Sequence, residues 1–367
     1  MGSSSETERM ASFVIEADEV ESMLMGRSME ALLSDLVGVA KGLARPPISR
    51  FYVGAVGLGA SGRIFFGVNL EFAGLPLNNT VHAEQFLVAN AAHHGEEVLH
   101  IIAVSAAPCG HCRQFLQELR DSSDLRILVV DEGSEIRTLG HLLPHPFGPN
   151  DVLAGHFPLL LEPHQNQLHE KVVLPLKESV PVSLISLNDL IGCGSDDAVT
   201  LRPDANNTTL LTAVNADGDY SLRDTMSLSV GRSILSCRQG GNDHQVTCNP
   251  AEILVTAATE AANRSHAPYT NSPSGVALLS RNGKIFCGSY MESVAYNPSL
   301  PPMQVALVSF VANCQGNYED IVQAVLVERE KALIQFADTT KLLLEKISQN
   351  CEFYIVHISC DGQLLLH

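Results

Sequence analysis

Val81-His82-Ala83-Glu84-Gln85-Phe86 and Pro108-Cys109-Gly110-His111-Cys112-Arg113-Gln114-Phe115 carry the chemistry of this chain, with 23 residues between Glu84 and Pro108. Their patterns predict one helix over Val81 to Ala92, ending near Gly95, and another over Cys109 to Arg120. Two cysteines three apart at the start of a helix can point at one metal ion, and the helix N-terminus favours the thiolate form. His82 and Glu84 open the other helix. One histidine and two thiolates make three protein ligands. Structural zinc normally takes four, whereas three plus an open position is the catalytic pattern. Zinc lowers the pKa of a bound water to about 7, and a carboxylate beside it can shuttle protons. A Cys-x-x-Cys can also be a redox pair, but Pro108 and the upstream His-x-Glu argue against that. His111 is left out of the ligand set, its ring being expected to point elsewhere.

Upstream, residues 11–45 read as helical, with Leu24, Leu32, Leu33, Leu36, Val37, Val39 and Ala40 at three-to-four spacing. Pro46-Pro47 ends that run. Tyr52 to Leu58 and Arg63 to Leu70 read as two strands joined by the turn Gly59-Ala60-Ser61-Gly62. Leu99 to Ser105 and Leu125 to Val130 are short apolar runs suited to buried strands. Strands and helices thus mix within one domain, which implies a sheet covered by helices.

Part of this pattern recurs. Pro47, Gly54, Gly62, Ile64, Phe65, Gly67 and Glu71 reappear 221 positions later as Pro268, Gly275, Gly283, Ile285, Phe286, Gly288 and Glu292. A fixed offset over that many positions indicates an internal duplication. The second copy has lost the chemistry. Pro301-Pro302-Met303-Gln304 stands near where His82 and Glu84 should recur, Tyr290 replaces Asn69, and Cys314 and Cys351 are far apart. Four segments are expected: a disordered N-terminus over 1–10, a catalytic domain with a helical extension over 11–155, a polar linker or insertion over 156–250, and a degenerate copy over 251–367.

At 367 residues the chain suits about two domains. Its net charge of −18 makes it a poor partner for nucleic acid and for an anionic membrane surface. No apolar run reaches the eighteen or so residues of a membrane span, and Met1 to Met10 lacks a signal-peptide pattern. Nine cysteines, an odd number, favour reduced thiols and a cytosolic protein.

The elements H-x-E and P-C-x-x-C together form the zinc nucleobase-deaminase signature. On His82 to Gln85, Pro108 to Phe115, Leu142-Leu143-Pro144, Phe147-Gly148-Pro149 and the tract from Ala261 to Gly275, the sequence resembles the cytidine deaminases. It is most similar to the larger homodimeric class, with a catalytic domain and a degenerate second copy. The resemblance implies a three-layer α-β-α domain with a mixed sheet, duplicated in one chain. It implies one zinc ion per chain, in the N-terminal domain only, held by His82, Cys109 and Cys112, with Glu84 as the proton shuttle. The reaction implied is hydrolytic deamination of free cytidine and 2′-deoxycytidine, as in pyrimidine salvage. It further implies that Asn69 and Glu71 hold the ribose, Phe51 packs on the pyrimidine, the backbone around Ala83 and Ser105 to Ala107 reads the base edge, and Phe147 lines the neighbouring subunit's site. Asn69 and Glu71, two apart on a strand, point to one face.

Two other readings stay open: a deaminase acting on polynucleotides, and a non-catalytic protein that holds zinc or a nucleoside. The charge and the Asn69/Glu71 pair weigh against the first, and an intact Glu84 against the second. Gly57-Leu58-Gly59-Ala60-Ser61-Gly62 fits a dinucleotide fingerprint, but the strand-like Ile64-Phe65-Phe66 follows it rather than a helix, so it reads as a hairpin turn. Asn215, Asp217 and Asp219 fail as a calcium loop because Tyr220 and Met226 occupy the glycine and glutamate positions. His93-His94 reads as an exposed helix end.

Overall fold

The computed structural model of the chain describes residues 12–168 apart from Glu132 and Ser134, strands lying between 198 and 247, residues 250–358 apart from Gln315, and residues 364–366. The expected N-terminal disorder over 1–10 and the rejected calcium loop at 215–220 lie outside the described residues. The chain divides into two compact units. The first comprises 1–165 with two pieces of the second copy, 266–271 and 290–316; the second holds the remainder.

The first unit contains β1 (Val14–Ile15), α1 (Ala17–Leu24), α2 (Met29–Gly42), β2 (Gly54–Gly59), β3 (Ile64–Val68), α3 (Ala83–His93), β4 (Leu99–Val104), α4 (Gly110–Phe115), β5 (Arg126–Val129), β6 (Glu135–Thr138) and α5 (Leu139–Leu142). The strands form one sheet in the order β1-β3-β2-β4-β5-β6. β4 and β5 run parallel and the other neighbours antiparallel, so the sheet is mixed. The stretch 11–45 is not one helix. Met25 and Gly26 take left-handed backbone at φ 42° and 81°, which stops α1. Ser28 then caps α2, its hydroxyl accepting from the Ala31 N–H at 3.2 Å. Val14 and Ile15 pair with Phe65 and Ile64 as an edge strand.

The glycine-rich tract 57–62 is the hairpin expected of it: β2 and β3 pair from Gly54↔Val68 to Leu58↔Ile64, and Gly62 takes φ 83°. Two glycines of this hairpin establish the layering. A Cβ on Gly54 would lie 2.3 Å from the Lys41 backbone nitrogen of α2, and one on Gly67 would lie 2.1 Å from the Ala83 carbonyl oxygen of α3. Gly54 pairs with Val68 and Gly67 with Ala55, and adjacent pairs point to opposite faces of a sheet. α2 and α3 therefore cover opposite faces, giving three layers. The close approach brings the start of α3 down onto the sheet.

The second unit repeats the plan with α6 (Pro250–Asn263), β12 (Ser274–Ser280), β13 (Ile285–Ser289), β14 (Ile321–Arg329), α8 (Ala337–Ile347), β15 (Glu352–Ile358) and β16 (Leu364–Leu366). The sheet order is β13-β12-β14-β15-β16, again with one parallel pair, β14 and β15. The hairpin register matches residue for residue: Gly275↔Ser289 answers Gly54↔Val68, and Leu279↔Ile285 answers Leu58↔Ile64. The matching irregularities fall at Leu58/Gly59 and Leu279/Ser280. Helix α7 (Pro302–Asn313) belongs to the first unit. Between 198 and 247 lie strands β7 (Ala198–Pro203), β8 (Thr208–Val214), β9 (Thr225–Ser229), β10 (Ile234–Gln239) and β11 (Asn242–Thr247), paired β7-β8-β9 and β10-β11. The duplication is thus a duplication of fold. Among the described residues no helix is long and apolar enough to cross a membrane.

Candidate active site

His82 and Cys109 are the residues that immediately precede two helices, α3 and α4. Both helix starts converge. His82 Nδ1 lies 3.5 Å from Cys109 Sγ and 3.3 Å from Cys112 Sγ, and the two sulfurs are 3.6 Å apart. Zinc–sulfur bonds of about 2.3 Å at a tetrahedral angle place two sulfurs about 3.8 Å apart, so the donor set fits zinc. Among the described residues it is the one group of three or more His, Cys, Asp or Glu side chains close enough to hold a metal.

Glu84 is buried beside this group, and its Oε2 accepts from the Cys112 thiol at 3.2 Å. Burial raises its pKa above the ordinary carboxylate range. The Cys112 hydrogen bond and His82 pull Cys109 down to about 3. The pKa of Cys112 rises through its bond to Cys109 and through burial. The Cys109 bond likewise raises His82. The His111 ring stacks on His82 at 4.8 Å between centroids and 22° between planes, and burial lowers its pKa.

The expected sugar-holding residues adjoin the metal group through backbone. Leu70 and Val81 exchange N–H···O bonds of 2.9 and 3.0 Å in an antiparallel bridge, which sets Asn69 across from His82 and Glu71 across from Thr80. Both side chains brace the 48–53 turn. Asn69 Oδ1 accepts from the Val53 N–H and its Nδ2 donates to the Phe51 carbonyl, each at 2.9 Å. Glu71 Oε2 accepts from the N–H groups of Ile48 at 2.9 Å and Ser49 at 2.8 Å, and Oε1 accepts from the Ser49 hydroxyl at 2.5 Å. Burial pushes the Glu71 pKa up, but these bonds outweigh it and the net shift is downward. Phe51 is thereby held on a fixed turn, with 62% of the residue exposed. Ala83 is buried in the first turn of α3. Phe147 is exposed, and its carbonyl accepts from the Gln114 amide rather than meeting the metal group.

Three supporting side chains are not apparent from motif reading. Gln85 bridges the His82 N–H and the Pro298 carbonyl. Arg113 donates to the Pro108 carbonyl at 2.7 Å and the Leu142 carbonyl at 3.1 Å, pinning the cysteine loop. Glu118 is fully buried and accepts from the Tyr269 hydroxyl at 2.6 Å, His266 Nε2 at 3.2 Å and the Val294 N–H at 2.7 Å. Gln85 alone left a local trace, a Gln three residues into a helix as in a capping box.

Family models described as the cytidine and deoxycytidylate deaminase zinc-binding region match residues 28–125 and 207–341. The chain is 43% identical to cytidine deaminase 1 of Arabidopsis thaliana over 360 residues, covering 94% of this chain and 97% of that protein. The chain belongs to the cytidine deaminase family. A bacterial cytidine deaminase, from Yersinia pestis, is 35% identical over 91% of this chain and 86% of its own length. The crystal structure of cytidine deaminase from Mycobacterium tuberculosis is 34% identical, covering 33% of this chain and 98% of its own, with a TM-score of 0.30. The two family-model matches fall one in each half of the chain, as the duplicated α/β plan does.

Proposed function

We propose that the chain hydrolyses free cytidine and 2′-deoxycytidine to the uridines and ammonia, a reaction of pyrimidine salvage. The carrying observation is the convergence of His82, Cys109 and Cys112 with buried Glu84 against them. His82 Nδ1 and the two thiolates hold one zinc ion per chain. Bound zinc supplies a Lewis acid that lowers the pKa of a coordinated water to about 7. Glu84 does the proton work. Its carboxylate removes a proton from the attacking water as the C4–O bond forms and delivers it to pyrimidine N3; it then takes the remaining hydroxyl proton and passes it to the amino group as the C4–N bond breaks, so that ammonia leaves and the C4 carbonyl forms. Burial keeps competing water from this carboxylate.

Asn69 and Glu71 hold the sugar hydroxyls. Each Asn69 amide atom makes one bond to the 51–53 turn, and an amide oxygen and nitrogen can each take a second. Glu71 has one lone-pair site left at Oε1. Phe51 packs on the pyrimidine, the Ala83 backbone reads the base edge, and Phe147 reaches the site of a second copy in a homodimer. The exposure of both rings supports this assignment. Residues 11–155 then form the catalytic domain, 156–250 a linker or insertion, and 251–367 a copy without metal. Beyond the two zinc-holding cysteines, Cys287, Cys314 and Cys351 are free thiols among the described residues, which suits the cytosol.

The test is a zinc count on the purified full chain together with ammonia release from cytidine and from a single-stranded oligonucleotide. About one zinc per chain and release from the free nucleoside are expected. A zinc-free chain, or release from the oligonucleotide alone, overturns the reading.

A further inference from the structure

The start of α3 has an unusual requirement. The residue before a helix commonly uses its side chain to satisfy an orphan N–H of the first turn. His82 stands there, but its ring is turned to the two sulfurs, with Nδ1 3.3 and 3.5 Å from them. Its own backbone N–H needs an acceptor in any case, since an N–H left unpaired in a buried site is costly. Gln85 is 1% exposed, and its Oε1 accepts that N–H at 3.2 Å. The other end of the same amide donates to the Pro298 carbonyl at 2.8 Å. Pro298 lies in the loop between Met291 and Leu300, which pair with each other as Leu70 and Val81 do. An amide with both ends engaged in a buried site cannot rotate without losing both bonds, and a buried unmade bond costs about 1–3 kcal/mol.

We propose that Gln85 is the positioning residue of the His82 ligand, fixing its backbone by leaning on the loop supplied by the second copy. This inference rests on His82 being a zinc ligand. It gives the metal-free copy a task in the chemistry of the first: its Pro298 carbonyl is the fixed point from which the ligand is aimed. Outer groups that orient a metal ligand change metal affinity by about 10–100-fold when removed.

Two near-isosteric variants separate the two ends of the amide. Gln85→Met removes both bonds, whereas Gln85→Glu keeps an acceptor for His82 and loses the donor to Pro298. The readout is the rate at which zinc-loaded full-length protein gives up zinc to excess chelator, with circular dichroism to establish folding. Gln85→Met is expected to release zinc about 10–100-fold faster than wild type, and Gln85→Glu at an intermediate rate. KM for cytidine at saturating zinc should stay within about twofold, because both ends of the buried Gln85 amide are already engaged, by His82 and Pro298. Folded variants that release zinc at the wild-type rate overturn the proposal, and so does unfolding of both, which would assign Gln85 to the fold alone. If the wild type itself holds no zinc, the reading of the site fails instead, so the two failures are distinguishable.

Discussion

The start of α3 and the start of α7 occupy the same place in two copies of one fold and share almost none of its chemistry. Leu70 pairs with Val81 just before the first, and Met291 with Leu300 just before the second. Counting on from these bridges, Pro301 stands for His82, Pro302 for Ala83, Met303 for Glu84, and Gln304 for Gln85. A proline before a helix fixes backbone and offers no side-chain donor or acceptor, and a buried methionine holds no proton. By contrast, the contacts that shape the backbone persist. Gly54 and Gly275 are each pressed against a helix, and Glu71 and Glu292 each hold a turn. Packing restricts both copies alike, whereas among the described residues the one His/Cys/Cys group lies in the first. The largest test of this division is at position 84. Glu84→Gln should keep its zinc and lose turnover about 10²–10⁴-fold, measured by ammonia release. Met303→Leu, a volume-conserving change at the matching place, should leave the rate within about twofold. A comparable loss from the second variant would break the comparison, because the second copy would then share in the chemistry.

The sequence disclosed most where a pattern is local. The hairpin turn at Gly59 to Gly62, the helix starts at His82 and Cys109, and the duplication each need only neighbouring residues or a repeated spacing. It misled where apolar spacing runs through a break. Leu24 and Leu32 continue one helical pattern, yet Met25 and Gly26 turn the backbone left-handed between them. Likewise α4 stops at Phe115 and tightens into a 3-10 turn over Leu116–Glu118, short of Arg120. It was silent about Glu118 and about the far end of Gln85, whose partners Tyr269 and Pro298 lie 151 and 213 residues away. No periodicity reports a hydrogen bond across that span. The braced turn behind Phe51 was hidden for a related reason: Asn69 and Glu71 read as ligand-holding residues, and their bonds to backbone groups 16 to 23 residues away depend on the fold.

A smaller effect should be common to both copies. A Cβ on Gly275 would lie 2.3 Å from the Ala262 backbone nitrogen, as one on Gly54 would from that of Lys41. Backbone cannot swing aside as a side-chain end can. Gly54→Ala and Gly275→Ala should each cost about 1–3 kcal/mol, read as a shift of the urea midpoint. Agreement within about 1 kcal/mol sharpens the claim that packing is shared. A large cost at one glycine and none at the other breaks it.

The smallest expected effect on stability separates two roles of one carboxylate. Glu71 Oε2 accepts two backbone N–H groups, from Ile48 and Ser49, and Glu292 Oε2 does the same for Tyr269 at 2.8 Å and Thr270 at 3.2 Å. The remaining oxygen meets a hydroxyl in each case, that of Ser49 or of Tyr290. Glutamine can reproduce both patterns. Its amide oxygen accepts the two N–H groups, and its NH2 donates to a hydroxyl oxygen that can accept. What is lost is charge assistance, so Glu71→Gln and Glu292→Gln should each cost only about 1 kcal/mol. KM for cytidine should not follow stability. If Glu71 also holds a sugar hydroxyl, Glu71→Gln should raise KM roughly tenfold, while Glu292→Gln leaves it within about twofold. Equal stabilities with unequal KM values would show one turn-holding device kept in both copies and used for substrate in one. Equal KM values would leave Glu71 as a turn-holding residue alone.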